Sequence, residues 1–361
     1  MILPRFIIKT HTEALRPGNY SILITKCTFP DKSAYQEQVE KRLTEFFPSE
    51  KGKKVSSIAK YTVLAATSKN RGFGFLLDNM VWNWKGHVIK TVLKYIGKCS
   101  DDKNTYWKLS KIEKITYLRY FLETEGALIL KLSGSFVIKK EIPYTYLKGE
   151  IQKIFEEIYE GYRDIALDFR ARIKIREMLN EMQRRMRSKE HVYDSSTLAH
   201  KIKPHIQALS DLGLLSIEKQ NQEEIYRPVI YNGVLPLIIL LKKLKNFEKM
   251  EEIFSNDGYF SLIAEALNLG SIRYSPKAHK EILRQTFTWG YKVMRDKVTG
   301  MADIDALIDW SCIKLLSEEN VLVTRKDIEE FLNEMIKVNP SSIRYHVDGK
   351  GRIAYLILEL R

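Results

Sequence analysis

Asp194-Ser-Ser-Thr-Leu-Ala-His-Lys-Ile-Lys-Pro-His-Ile-Gln-Ala-Leu-Ser-Asp-Leu-Gly-Leu-Leu-Ser-Ile217 is the stretch whose reading decides the fold. Asp194 to Thr197 offer helix caps ahead of Leu198–Ile202, because their side-chain oxygens accept from free N–H groups of a first turn. Pro204 suits the first turn of a second helix, where its missing N–H is not needed. Ile206, Leu209 and Leu212 then fall on one face, leaving His205, Gln207, Ser210 and Asp211 outward. Gly213 provides a left-handed stop, and Leu214–Ile217 reads as a strand. A polar turn over Glu218–Glu224 leads into a return strand at Ile225–Ile230.

Two helices followed by a two-stranded hairpin resemble a winged helix-turn-helix domain over residues 191–230. The resemblance rests on Ile206-Gln-Ala-Leu-Ser-Asp-Leu-Gly-Leu-Leu215 and covers about 40 of the 361 residues. Such domains usually lay their second helix in the major groove of DNA, which is what the resemblance implies here. This helix, however, has no Lys or Arg on its outward positions. Lys201 and Lys203 precede it, and the wing carries Glu218, Glu223 and Glu224. The resemblance therefore leaves two uses open, DNA contact and docking or dimerisation with protein.

Upstream, Leu147–Lys189 lacks proline and repeats apolar residues at Ile151, Phe155, Ile158, Tyr162, Ile165 and Phe169. Alternating steps of four and three are the seam of a long packed helix or coiled coil. This spacing predicts a connecting helix over 145–190 and a route to a homodimer. Its second half is basic, with Arg184, Arg185, Arg187 and Lys189 forming one candidate phosphate-binding patch.

Further upstream lies most of the charge. The formal net charge is +14, and residues 1–100 hold 17 Lys/Arg against 7 Asp/Glu. The last 61 residues are net acidic, at −3. A basic block of this kind fits nucleic acid, since every neutralised phosphate releases a condensed counterion. Within it, His87-Val-Ile-Lys-Thr-Val-Leu-Lys-Tyr-Ile-Gly-Lys98 reads as an amphipathic helix. At 100° per residue His87, Lys90, Thr91, Lys94 and Lys98 occupy about a 100° arc, opposite Ile89, Val92, Leu93 and Ile96. Val55–Ala66 and Phe75–Trp84 accept helical readings too, completing a three-helix unit. Lys53, Lys54, Lys69 and Arg71 add cations to the same region.

Arg71-Gly-Phe-Gly-Phe-Leu-Leu-Asp78 resembles the octamer of RNA-recognition motifs at all but its last specified position, where Asp78 replaces an aromatic. That resemblance implies base stacking by Phe73 and Phe75. The basic helix follows too closely for the family's strand arrangement, so a loop-to-helix transition at Gly72 and Gly74 is preferred.

The remaining segments complete an α+β, mainly α architecture of helix-turn-helix and winged-helix modules joined by a long helix. Residues 1–135 form a basic N-terminal region, opening with strands at Phe6–Lys9 and Tyr20–Thr25 and a helix from Ala34 to Phe46. A helix from Lys111 is expected to stop at Gly126, with a strand at Ala127–Leu132. Residues 232–361 read as helical up to Val338, and a hairpin at Ser342–Val347 and Arg352–Leu358 closes the chain around Asp348-Gly-Lys-Gly351. No tandem repeat is visible.

Chemistry-bearing motifs are few. P-loop, GxGxxG, HExxH and GxSxG patterns are all missing from the sequence. Cys27, Cys99 and Cys312 form no CxxC pair, so no disulfide framework or thiolate zinc site is expected. The longest apolar run, Val234–Leu241, falls far short of a bilayer span. The start of the chain lacks a secretion-signal pattern, and the expected location is the cytoplasm. Asp348 with Glu359-Leu-Arg361 mimics a restriction-type nuclease motif, with Arg in place of its Lys. The expectation is therefore a non-catalytic protein without cofactor or metal that binds nucleic acid, duplex DNA first. It would serve as a regulator or as the DNA-recognition subunit of a larger complex. A protein-interaction scaffold is the alternative; a metal-dependent nuclease and an RNA-binding protein rank below it.

Overall fold

A computed structural model describes residues 77–78, 81–82, 84–96, 109–138, 141–165, 205–229, 258–349 and 351–359, together with scattered helical positions between 169 and 203. The N-terminal strands and helix, and the helical reading of 55–66, lie outside the described residues. In chain order the elements are β1 (Leu77–Asp78), β2 (Val81–Trp82), α1 (Trp84–Tyr95), α2 (Lys111–Ile138), β3 (Ile142–Pro143) and α3 (Tyr144–Ile165). Helical residues 205–211 form α4. There follow β4 (Leu215–Gln220), β5 (Glu223–Pro228), α5 (Tyr259–Ala266), β6 (Ile272–Arg273), α6 (Pro276–Met294), β7 (Ala302–Asp303) and α7 (Ile304–Glu318). The chain closes with β8 (Val321–Leu322), α8 (Arg325–Val338), β9 (Ile343–Val347) and β10 (Ile353–Leu358). The described protein is thus mixed helix and strand, mainly helical, with small sheets.

These elements cluster into two compact units. The first is built around Tyr117–Leu269, the second around Phe73–Thr116 with Gly270–Arg361.

In the first unit, Leu118, Phe121, Leu122, Ile129 and Leu132 of α2, Ile158 of α3, and Ile206 and Leu209 of α4 are all buried. The predicted stop at Gly126 is overturned, since α2 runs unbroken to Ile138 and no strand forms at 127–132. Buried contacts on both sides of Gly126 outweigh the roughly 1 kcal/mol that a helical glycine costs. α3 likewise continues through Gly161. Leu147, Ile154 and Ile158 are buried along it, whereas Phe169, placed on the predicted seam, is 75% exposed. The helix expected over 166–190 falls largely outside the described residues. After α4, Gly213 adopts φ +77°, and the Leu214 N–H donates to the Leu209 carbonyl at 2.9 Å. β4 and β5 extend closer to their turn than predicted. Asn221 and Gln222, both at positive φ, give the tight turn that suits the twist of a two-stranded hairpin. β3 pairs antiparallel with β5, so the sheet order is β3-β5-β4.

In the second unit, Leu283, Phe287 and Tyr291 of α6, Trp310 and Leu316 of α7, Phe331 of α8 and Leu356 of β10 form the core. Asp303 caps α7 by accepting from the Ala306 N–H at 3.1 Å, and Thr324 with Asp327 forms a capping box for α8. The predicted hairpin appears as β9 and β10, and β7 pairs with β10 to give the order β7-β10-β9. The helical reading of Phe75–Trp84 is corrected here, because Leu77–Asp78 pairs antiparallel with Val81–Trp82.

The two units share one topology. Each runs from a helix (α2, α6) into a two-residue strand (β3, β7) and directly into a helix (α3, α7). Each then reaches a later helix (α4, α8) and a hairpin whose second strand receives the short one. The repetition lies in the connectivity and not in the residues, which is why the sequence shows no tandem repeat.

Candidate nucleic-acid interface

α1 carries the predicted basic face. Val88, Ile89 and Val92 are buried against α6 and α7 of the same unit. Its last residue, Tyr95, packs edge-on to Trp289 and Trp310 at centroid distances of 5.5 and 5.6 Å. The Lys314 ammonium sits 4.4 Å from the Tyr95 ring centroid. Trp310 anchors this cluster by donating its indole N–H to the Thr286 carbonyl at 3.0 Å. Lys94 is exposed and Lys90 half-buried.

Two members of the predicted face are corrected. Thr91 is only 1% exposed, and its hydroxyl donates to the His87 carbonyl at 2.8 Å, so it offers nothing outward. Two helices pack on α1, and the buried arc is wider than a one-sided helix would have. His87 is half-buried, and burial first, then the Lys90 charge, pushes its pKa below the ordinary imidazole value. It is therefore neutral at pH 7 and adds no positive charge to the face. The sign for stability follows: the folded state resists protonation, so His87 favours folding above pH 6.5 and that contribution is lost as pH falls through the lowered pKa. Thermal melts from pH 7.5 to 5 should show a smaller loss of Tm for His87→Gln than for wild type. Parallel curves would contradict the assignment.

In the first unit the β4–β5 hairpin is closed on itself by ion pairs. Arg227 of β5 donates to Glu141 at 2.7 Å and also to Glu218 of β4. Glu223 accepts from the Thr145 N–H at 3.1 Å. Glu224 accepts from Lys203 at 2.6 Å and from the Tyr226 hydroxyl at 2.8 Å. Burial opposes the Glu224 charge, but these two bonds outweigh it and hold its pKa below the usual carboxylate range. Lys203, predicted to contact DNA, is thus committed to Glu224. His205 is also corrected: it is fully buried and stacks on Phe121 at 5.8 Å, where an outward position was expected. The hydrophobic pattern did not reveal this because a histidine ring packs as readily as it solvates.

Arg184 is helical and exposed. Lys53, Lys54, Lys69, Arg71, Lys98, Arg185, Arg187, Lys189 and Lys201 lie outside the described residues. Missed in the sequence reading were Lys277, Lys280, Arg284 and Lys292 of α6 and its C-cap Arg295, although their steps of three, four, eight and three keep to one helical face.

The second unit also holds a cleft of about 330 Å³ bordered by Asp305, Arg325, Glu329, Asp348, Arg352 and Tyr355. Its charges are paired, Arg325 with Asp305 at 2.5 Å and Arg352 with Asp348 at 2.9 Å. Asp348, the nuclease-motif candidate, is thereby engaged by Arg352, and Glu359 by Arg344 at 3.2 Å. Among the described residues, no group of three or more His, Cys, Asp or Glu is placed to hold a metal ion. No described helix is long and apolar enough to cross a membrane.

No family model matches the chain, and neither the curated proteins nor the solved structures searched include a match.

Proposed function

We propose that the protein is a non-catalytic binder of double-stranded DNA, acting as a regulator or as the DNA-recognition subunit of a larger complex. The observation that carries this reading is the α1 helix, which buries one side and leaves Lys90 and Lys94 on the other, at the edge of the most basic part of the chain. The repeated topology supports it. Each unit places helices ahead of a two-stranded hairpin, an order that a winged helix-turn-helix module would also have. Fold alone does not carry function, so the weight rests on charge and its presentation.

A second reading, a docking scaffold, draws on a specific observation in the first unit. Its wing neutralises its own charges through Arg227, Lys203 and their carboxylates, and α4 turns His205 inward. This module offers a phosphate little and suits protein docking or dimerisation better. Both readings are compatible in one protein. The RNA reading rests on Phe73 and Phe75, which lie outside the described residues, and the nuclease reading on Asp348, which is tied to Arg352.

Fluorescence anisotropy with a labelled duplex, run at several salt concentrations, tests the main reading. Lys90→Ala/Lys94→Ala/Lys98→Ala should weaken binding about 10- to 100-fold near 0.1 M salt and flatten the salt slope by about three. A variant indistinguishable from wild type would remove α1 from the interface.

A further inference from the structure

We infer that α6 is a second phosphate-binding surface, so that the second unit meets the backbone of duplex DNA through its first helix and not through the helix before its hairpin. The inference rests on the DNA-binding reading above and adds a surface to it.

α6 is strongly two-faced. Leu283, Thr286, Phe287, Gly290, Tyr291 and Met294 are buried, while Lys277, Lys280, Arg284 and Lys292 are exposed. At 100° per residue these four cations fall within about a 120° arc, and Arg295, the exposed C-cap, continues it. Solubility alone asks for mixed charge, yet the same arc holds a single acid, Glu281. The middle of the stripe is already occupied, with Arg284 on Glu281 at 2.7 Å and Lys280 on Glu334 at 2.5 Å. Lys277 and Lys292 are exposed near the two ends, and Arg295, also exposed, stands 5.9 Å from the Tyr291 ring centroid. At 1.5 Å per residue, positions 277 and 295 lie about 27 Å apart along the axis. Duplex DNA carries about one charge per 1.7 Å of its axis, so a helix of this length can meet several phosphates.

The helix start points the same way. Stability favours Asp or Glu in a first turn, where the aligned peptide dipoles are positive. α6 has none there and places Lys277 in that turn instead. The N-cap Ser275 side chain makes no capping bond, and the neighbouring His279 ring accepts only the N–H of Ser275 itself, at 2.9 Å through Nδ1. This end of the helix thus concentrates positive potential that a bound polyanion would relieve.

α8, the helix that a winged module would lay in the groove, is built differently. Its exposed Glu329, Glu330 and Glu334 are paired with Arg325, Lys326 and Lys280, so that side is of mixed charge and offers a phosphate backbone no cationic stripe. α6 also touches α1 within this unit: Tyr95, adjacent to Lys94, packs on Trp289, and Lys292 follows Trp289 by less than one turn of α6. Two basic helices in contact suit a single extended polyanion.

The test uses the full chain and a labelled duplex near 0.1 M salt. Lys277→Glu/Lys292→Glu/Arg295→Glu should weaken binding at least tenfold and flatten the salt slope by about three. Lys277→Gln/Lys292→Gln/Arg295→Gln, which keeps good helix formers, should give a smaller loss in the same direction with an unchanged melting temperature. Glu329→Gln/Glu330→Gln on α8 should bind as well as wild type or tighter. If both α6 variants bind like wild type while the α1 variant is impaired, the inference fails and the DNA reading stands. Loss confined to the α8 variant would also overturn it. Wild-type protein with no affinity for duplex would overturn both.

Discussion

Gly290→Ala is expected to destabilise the second unit by roughly 3 kcal/mol. A Cβ at this position would lie 2.4 Å from Cδ1 and 2.7 Å from Nε1 of Trp310. The indole has nowhere to go. It is fully buried, donates to the Thr286 carbonyl, lies 5.0 Å from the Trp289 ring and meets Tyr95 at its edge. Overpacking a tight core costs about 1–3 kcal/mol. Displacing the indole also leaves a buried donor without its acceptor, at about 1–3 kcal/mol. The better helix propensity of Ala returns about 1 kcal/mol. Urea unfolding followed by tryptophan fluorescence measures the difference, and a variant within 0.5 kcal/mol of wild type, about the scatter of a neutral surface change, would contradict the packing argument. Because Trp310 also seats Tyr95, the substitution should loosen α1 and weaken duplex binding along with stability.

Arg119→Ala should cost the first unit a comparable amount, about 3 kcal/mol, with Arg119→Met costing clearly less. Arg119 is 5% exposed on α2, and its guanidinium stands 4.1 Å from the Tyr259 ring centroid and 5.8 Å from that of Phe260. Ala removes the stem and the charge together and opens a cavity beside α5, a loss of about 2–5 kcal/mol for a long buried side chain. Met refills most of that space and gives up the cation–π attraction, about 2 kcal/mol when desolvated. Replacing a buried charge by a well-packed apolar group is often close to neutral. Equilibrium unfolding of the two variants separates packing from charge. Equal loss in both would assign the stabilisation to the guanidinium, and a loss under 1 kcal/mol for Ala would contradict the packing argument.

Much of the local structure was legible because its signals are short-range. The breaks at Ser275-Pro276 and Asn339-Pro340 mark helix ends through their own chemistry, whereas the Thr324–Asp327 capping box of α8 was not read. The Asp348–Gly351 turn announces the hairpin, and Gly213 announces the end of α4. What could not be read depends on distant partners. β3 and β7 are two residues long, too short for any alternation, and exist because β5 and β10 offer them an edge. Gly126 stays helical because of what packs around it. The shared topology of the two units follows from these short strands and was invisible for the same reason.

The candidate site was legible in outline and not in detail. Helical periodicity identified α1 and placed Lys90 and Lys94 away from Ile89 and Val92, which are buried. It assumed one buried side, so Thr91 and His87 were read as open when α6 and α7 cover more of the helix. Lys203 was read as available because ion pairing with Glu224, 21 residues away, leaves no mark in a local pattern. The α6 stripe was readable from its spacing, but its meaning depends on the contrast with α8 and on the contact between Tyr95 and Trp289.

The most direct test of the DNA-binding account is the salt dependence of wild-type binding to a duplex, measured beside single-stranded DNA and RNA of equal length. The account predicts preference for the duplex and a log–log slope of about −5 or steeper, the value for six phosphate contacts shared by the α1 and α6 cations. A dissociation constant weaker than about 10⁻⁴ M for every nucleic acid, the weak limit of non-specific binding, would contradict it and leave the docking scaffold as the better description.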